Sequence, residues 1–377
     1  MLPGREPRPS DELATEPVPY VRGVHLQRTD ENVREIAALA AVLGEPAGLD
    51  GLLDDLKHQA RRSRLPARLL GRAVSDAYTW NSYDQRDQLW YPQGISTSAD
   101  ASDTEDVKGR KVLVTTWYST GRDGVKRGSR LTFLDLETLK YRHVLLVHPV
   151  FDKEGNLQLR PLRIHAGGIV WAGQWLHITA TRRGFVSARV DDIMRVVRDD
   201  HPDEFGVDGQ RVSSYGYRYV LPVRFTYQAF TDDGHEQLRY SFVSLDRRSE
   251  PPALIAGEYN TGEAPNRLAR YPLDPATWQL QAGDDGFSRP LEVDHGGVVH
   301  MQGAALAAGR CHVTVSHGPW MPGTIYAGPS GHLRPKRFAL PMGPEDLTYW
   351  PSTDRLWSLT EHPRRRWIVS MKRSAFD

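Results

Sequence analysis

Hydrophobic and polar residues alternate with period two over most of this chain, and the alternation is divided into similar segments. Five segments open with small or glycine-containing residues and lead into β-branched strands. The openings are Gln93-Gly94-Ile95-Ser96, His165-Ala166-Gly167-Gly168, Ser241-Phe242-Val243-Ser244, His295-Gly296-Gly297-Val298 and Glu345-Asp346-Leu347-Thr348. Repeated antiparallel units of this kind are typical of a β-propeller. The pattern predicts an all-β propeller of about five blades.

A different pattern precedes the repeats. Between Asp30 and Tyr78 the apolar residues recur every three or four positions, which predicts a helical segment. The third of its helices is expected to start at Pro66 and continue through Val74. We therefore divide the chain into a disordered tail (1–18), a closing strand with a helical cap (19–78) and the propeller (79–377).

We expect the last repeat to lack its own outer strand, because the chain ends soon after Met371. An isolated strand pattern, Val21 to Leu26, lies before the helices. Since proteins cover unpaired sheet edges, we predict that this strand pairs with the final blade and closes the ring.

Composition narrows the function classes. The 48 Lys and Arg residues balance 47 Asp and Glu residues, so no overall field favours nucleic acid or an anionic membrane. No apolar run reaches the ~20 residues of a membrane helix. The single cysteine, Cys311, excludes an internal disulfide and agrees with a reducing cytoplasm. We expect a cytoplasmic protein that binds a small molecule, and the sequence leaves its oligomeric state open.

Candidate site residues follow from strand direction. In antiparallel blades, the start of each first strand and the end of each second strand lie on the same face. Polar residues are frequent at these positions. The catalytic candidates are His165, His317, Glu258, Glu345 and Glu361. The substrate-binding candidates are Gln93, Trp117, Tyr118, Arg182, Tyr259, Asn260 and Gln302.

Each candidate has a structural alternative. A strand-end histidine is often solvated or structural, although two histidines facing one channel would suit proton transfer. Glu258 and Glu361 could act as an acid and base pair, or each could pair with a neighbour such as Arg182 or Arg183. The aromatic residues could form the walls of a pocket or pack between blades.

The opening Gly343-Pro344-Glu345-Asp346-Leu347-Thr348-Tyr349 is similar to blade starts of the lactonase and strictosidine-synthase-like propellers. Over roughly Gln93 to Arg373 the chain resembles that group, and the resemblance implies an axial acid at Glu345. It also implies an axial calcium ion, which several such proteins hold. The residues themselves show no tight metal-ligand spacing, so we expect no metal or other cofactor and keep calcium as the alternative.

No glycine-rich phosphate loop and no Gly-x-Ser-x-Gly elbow occur in the sequence. We therefore expect cofactor-independent acid/base chemistry in the central pocket, as in a hydrolase, lyase or cyclase of bacterial specialised metabolism. The alternative is a non-catalytic scaffold that binds a protein or small ligand, since propellers serve both purposes.

Overall fold

The computed structural model describes residues 20–196, 202–262 and 265–377. Its main feature is five units of four antiparallel strands, which we name blades A to E. Blade A contains Trp90–Thr97, Val112–Ser119, Ser129–Asp135 and Lys140–Phe151. Blade B contains Ile169–Ala172, Trp175–Thr179, Gly184–Arg189 and Tyr219–Thr231. Blade C contains Phe242–Asp246, Ala253–Gly257, Leu268–Pro272 and Glu292–Asp294.

The other two blades complete the set. Blade D contains Met301–Ala307, Arg310–Val315, Pro322–Gly328 and Arg334–Met342. Blade E contains Pro344–Trp350, Arg355–Thr360, Trp367–Lys372 and Val74–Thr79. The first strands contact one another in the order A, B, C, D, E and back to A. This arrangement of sheets around an axis is that of a β-propeller, so the predicted mostly β fold is confirmed.

The glycines of the repeats lie where first strands crowd the axis. A Cβ atom on Gly168 would stand 2.3 Å from the backbone nitrogen of Val243 in blade C. One on Gly303 would stand 2.5 Å from the nitrogen of Leu347 in blade E. Neither space admits a larger residue. In blade D this glycine belongs to the opening that starts at Met301, so the predicted opening at His295 is wrong.

Buried threonines join neighbouring blades at the same height. The Thr116 hydroxyl donates to the carbonyl of Ala166 at 2.6 Å and accepts the Gly94 N–H at 2.7 Å. The Thr314 hydroxyl likewise donates to the carbonyl of Glu345 at 2.7 Å. The blade interfaces are otherwise apolar, with clusters of buried residues between successive blades.

The ring closes differently from the prediction. Val24–Arg28 pairs with the outer strand of blade B, Tyr219–Thr231, and not with the final blade. The outer strand of blade E is instead Val74–Thr79, which pairs with Trp367–Lys372. The predicted helix from Pro66 to Val74 is also wrong beyond its first turn, because Val74 pairs with Met371. This pairing covers the edge that the sequence leaves open.

The remaining elements surround the blades. The α-helices are Val33–Leu43, Gly48–Leu53, Ala67–Leu70, Ser82–Arg86 and Ser98–Ala101, and the 3-10 helices are Val190–Asp192, Pro351–Thr353 and Arg373–Phe376. The additional strands are Val24–Arg28, His58–Gln59, Arg61–Arg62, Leu157–Pro161, Met194–Arg195, Phe205–Asp208, Arg211–Ser214 and Phe287–Ser288. The predicted tail, 1–18, lies outside the described residues.

Candidate functional site

A buried glutamate and a partly buried one, Glu345 and Glu361, lie at the upper face, which we define as the face where the first strand of each blade begins. Glu345 is in the first strand of blade E, and Glu361 directly follows the second strand of that blade. The Gln93 amide, from blade A, donates to Glu361 Oε2 at 3.0 Å. The Gln302 amide, from blade D, lies 3.5 Å from Glu345 Oε1. Three neighbouring blades thus bring together four of the predicted residues.

Both glutamates hold their protons more tightly than a solvated carboxyl does. Burial raises the pKa of Glu361 to about 7, although the Gln93 hydrogen bond and the charge of Arg366 act in the opposite direction. Burial raises the pKa of Glu345 well above its usual range, and the negative charges of Glu361 and Asp346 add to this effect. No arginine or lysine forms an ion pair with either carboxyl among the described residues. Glu361 therefore changes charge near neutral pH.

Two further carboxyls lie deeper along the axis. Asp346 accepts the N–H of Leu347 at 2.9 Å and that of Ile95 at 3.2 Å, so it ties blade E to blade A. Asp100 accepts the hydroxyls of Ser96 at 2.6 Å and Thr348 at 2.8 Å. Burial raises the pKa of Asp100 to about 6. Both carboxyls are enclosed, and their contacts are within the fold.

The sequence interpretation missed the part played by Asp100. The sequence contains one signal for Asp100. Together with Thr97, three residues upstream, it forms a capping box at the start of the short helix Ser98–Ala101. The capping box predicts the helix start, but it does not predict that the same carboxyl also reaches Thr348 of blade E.

An aromatic pair forms one side of the upper face. The Tyr118 and His165 rings lie 4.5 Å apart between their centroids. Burial and the negative charges of Glu361 and Glu345 raise the pKa of Tyr118, so its hydroxyl stays protonated and can donate. Desolvation by the surrounding protein lowers the pKa of His165, which favours the neutral imidazole. Tyr259 is partly exposed, and burial with the same two glutamates raises its pKa.

Tyr118 and His165 line a cavity of about 530 Å³ between blades A and B. Arg182 and Thr181 line it as well, at the turn that follows the second strand of blade B. The structure thus groups three more predicted residues, Tyr118, His165 and Arg182, around one cavity.

The other predicted residues have structural contacts. Glu258 forms an ion pair with Arg267, with the shortest distance of 2.7 Å between Nε and Oε2. The Asn260 side chain accepts from Arg239 Nη1 at 3.1 Å. Trp117 is fully buried in the core between blades A and E, so the prediction that it forms a pocket wall is wrong.

His317 lies apart from the cavity that His165 lines. Its Nε2 is 2.9 Å from the hydroxyl of Thr324, within blade D. The residue is largely exposed, and the partial loss of its hydration together with the charges of His300 and Arg337 lowers the pKa of His317. The predicted pair of histidines facing one channel is therefore not brought together in one cavity.

A larger cavity, of about 750 Å³, lies on the outer side of blade A. At its base Asp84 accepts the Tyr141 hydroxyl at 2.5 Å, and it contacts His143 Nε2 at 3.1 Å and Arg130 at 3.2 Å. Burial and the charge of Arg130 lower the pKa of His143 to about 4, so this imidazole is neutral. Each of these groups has at least one hydrogen-bond partner within the fold, as members of buried structural networks usually do, although Arg130 Nε has none among the described residues.

The described residues bear on the expected cofactors and membrane contacts in two ways. They contain no group of three or more His, Cys, Asp or Glu side chains arranged to hold a metal ion. No helix in the described ranges is long and apolar enough to cross a membrane.

Comparisons with known proteins identify no family. No family model matches the chain, and no curated protein matches it. Among solved structures, the GH43_1 enzyme from Xanthomonas citri is 10% identical, with 81% of this chain and 92% of that chain covered and a TM-score of 0.35. The β-propeller domain of Myceliophteria thermophila Cps50 (Swd1) is 9% identical, with 84% and 99% covered and a TM-score of 0.36.

Hydrazine synthase from Kuenenia stuttgartiensis is 13% identical, with 74% of this chain and 76% of that chain covered and a TM-score of 0.32. Sequence identities and TM-scores this low carry no information about the chemistry of this protein. The general resemblance to β-propeller proteins, without a specific family, is confirmed. The narrower resemblance to lactonase and strictosidine-synthase-like proteins stays a prediction.

Proposed function

We propose that this protein is an enzyme that transfers protons to and from a small organic molecule at the upper face of a five-bladed propeller. The observation that carries the proposal is Glu361, a partly buried carboxyl with a pKa of about 7 whose side chain accepts from an amide rather than from a cation. A general acid or base is most effective when its pKa lies near the working pH. No nucleotide or metal takes part in the proposed reaction.

The two glutamates take different roles. Glu345, whose pKa is raised further by its acidic neighbours, is the proton donor, and Glu361 is the acceptor. In a hydrolysis, the leaving-group oxygen takes the proton of Glu345 while the attacking water gives a proton to Glu361. The substrate bond breaks as the bond to the water oxygen forms. The pair gains and loses one proton, so the total number of protons it holds is unchanged.

Neighbouring side chains orient the substrate. Gln93 and Gln302 each supply an amide beside one carboxyl, and Tyr118 supplies a protonated hydroxyl. The same groups would serve an elimination or a cyclisation, in which Glu361 takes a substrate proton and Glu345 protonates the departing or receiving atom. The reaction class therefore stays at hydrolase, lyase or cyclase.

The alternative is a scaffold that binds a protein partner. The observation that favours it is Trp320, which is 76% exposed, next to Met321, which is 51% exposed. Both follow the second strand of blade D, at the upper face, and exposed aromatic residues are frequent in protein interfaces.

In either case we propose a cytoplasmic location, which the buried single thiol of Cys311 supports.

The enzyme proposal is tested with a small-molecule extract of bacterial cells and high-resolution mass spectrometry. The wild-type protein and the exposed-site control Glu154→Gln should consume the same extract components. Glu361→Gln and Glu345→Gln should slow that consumption at least 100-fold, as expected for loss of a general acid or base. Unchanged consumption in both variants, or none by the wild type, would contradict the proposal and favour the scaffold.

A further inference from the structure

The cavity beside Tyr118 and His165 is lined by four cationic side chains and by no carboxylate. The four are Lys126, Arg163, Arg182 and Arg183. In the described part of the chain, none of them forms an ion pair with an aspartate or glutamate. The total charge of the chain is balanced at +1, and several arginines elsewhere in the fold pair with acids.

Hydrogen bonds to carbonyl groups hold two of these cations in place. Arg183 Nη2 donates to the carbonyl of Arg163 at 3.1 Å, and Arg163 Nε donates to the carbonyl of Lys126 at 3.2 Å. These contacts link three segments, from blade A, from blade B and from the connection between them. A guanidinium has five N–H donors, so each arginine keeps donors for a ligand.

The backbone beside this cavity adopts a conformation that side chains rarely favour. Ala166, next to His165, has a φ of +53°, and Thr181, next to Arg182, has a φ of +55°. Both are non-glycine residues in the left-handed region, which costs conformational energy. Outliers of this kind occur often at binding sites, where the fold holds a side chain in a required direction.

The cavity shares one residue with the surroundings of the carboxyl pair. Tyr118 lines the cavity, and the charges of Glu361 and Glu345 contribute to raising its pKa. A ligand held among the cations would therefore also adjoin Tyr118. The volume, about 530 Å³, is in the range of pockets for small molecules.

We propose that this cavity binds an anionic group of the substrate, which is a carboxylate or a phosphate or sulfate ester. The proposal rests on the proposed function and adds the class of molecule: a small organic acid whose anionic end is held by Lys126, Arg163, Arg182 and Arg183. Guanidinium groups match the geometry of these oxyanions by paired N–H donors.

The test measures binding of inorganic phosphate and of benzoate by isothermal titration calorimetry at pH 7 and low ionic strength. The wild type should bind at least one of them. Binding should weaken at least tenfold in the double variant Lys126→Gln with Arg182→Gln, whose side chains make no hydrogen bonds within the described residues. The exposed-site control Arg64→Gln should bind as the wild type does. Circular dichroism confirms that each variant is folded.

The two probes distinguish the chemical class of the anionic group. Tighter binding of phosphate indicates a phosphate or sulfate ester, whereas tighter binding of benzoate indicates a carboxylate. If neither probe binds, or if the double variant binds as tightly as the wild type, the proposal is overturned.

A third variant separates this proposal from the proposed function. Glu361→Gln should bind the probe within about twofold of the wild type, because the cavity is lined by other residues. If the probe binds as expected and Glu361→Gln still consumes extract components normally, the anion site stands and the acid/base proposal fails. If Glu361→Gln is inactive and the wild type binds neither probe, the acid/base proposal stands and the anion site fails.

Discussion

Glu258 and Glu361 occupy equivalent positions in blades C and E, and they differ in their partners. Each directly follows the second strand of its blade; Glu258 is buried, and the Glu361 side chain is 20% exposed. Glu258 receives Arg267 Nε at 2.7 Å and Arg267 Nη2 at 2.9 Å, together with two backbone N–H groups. Glu361 receives the amide of Gln93 at 3.0 Å, and His362 Nδ1 lies 3.5 Å away.

The difference shows that the partner, and not the position, decides what a buried carboxyl does. Two guanidinium N–H groups satisfy Glu258 as an ion, so this residue fastens the end of blade C. One neutral amide is too little to offset the burial of a charge, so Glu361 stays partly protonated at neutral pH. The same repeat position is structural in one blade and suited to proton transfer in another.

Removing the cation from blade C should have the largest effect. Arg267→Met leaves Glu258 buried without its partner, and we expect the free energy of unfolding to fall by about 3–5 kcal/mol. Urea unfolding followed by circular dichroism measures the loss. Arg267 also holds the carbonyls of Glu236 at 3.1 Å and Gln237 at 3.0 Å, so the loop before blade C should open first.

A second variant isolates the charge. Adding Glu258→Gln to Arg267→Met keeps an oxygen for the backbone N–H groups and removes the buried negative charge. The double variant should therefore be more stable than Arg267→Met alone. Equal stability of the two would mean that lost packing, and not the unpaired charge, causes the effect, and the comparison between the blades would lose its basis.

In blade E, Glu361→Gln should stabilise the protein at high pH. The pKa of Glu361 rises from an ordinary 4.5 to about 7 on folding, so the folded state binds the proton more tightly. The stability linked to this group is fully present below pH 4.5 and is lost as the pH rises to about 7. Glu361→Gln cannot ionise and avoids this loss, which amounts to about 3 kcal/mol.

The measurement compares urea unfolding of Glu361→Gln and the wild type at pH 4 and at pH 8. The two proteins should be equally stable at pH 4, and the variant should be more stable at pH 8. The exposed control Glu154→Gln should show no such dependence. A variant that is less stable than the wild type at pH 8 would show that Glu361 is ionised and satisfied in the fold, like Glu258.

The sequence predicts the repeats well because their causes are local. Glycine at the crowded axis and alternation along each strand appear directly in the order of residues, and both Gly168 and Gly303 stand where a side chain would collide with the next blade. Thr116, Thr179 and Thr314 also recur in the sequence, each in the second strand of its blade and beside the glycine of the first strand. The sequence interpretation missed the hydrogen bonds that these threonines form.

Long-range pairing could not be predicted in the same way. Val21 to Leu26 has a strand pattern, whereas the apolar spacing up to Val74 is typical of a helix, so the local pattern favoured the wrong segment for the edge of blade E. The choice depends on contacts between residues almost 300 positions apart, such as Val74 with Met371. The same limit applies to Glu258, because its partner Arg267 lies across a hairpin and the sequence suggested Arg182 or Arg183 instead.

The smallest effect should come from the amide that distinguishes Glu361. The Gln93 N–H donates to the charged form of Glu361 and so lowers its pKa against the effect of burial. Gln93→Leu should raise the pKa of Glu361 by about one unit, which corresponds to about 1.4 kcal/mol. Carbon-detected NMR titration of labelled glutamate measures this shift, with Glu361→Gln to assign the signal and the exposed Gln88→Leu as control. An unchanged pKa would mean that burial alone sets the proton affinity of Glu361, and the contrast with Glu258 would then depend only on the absence of an arginine.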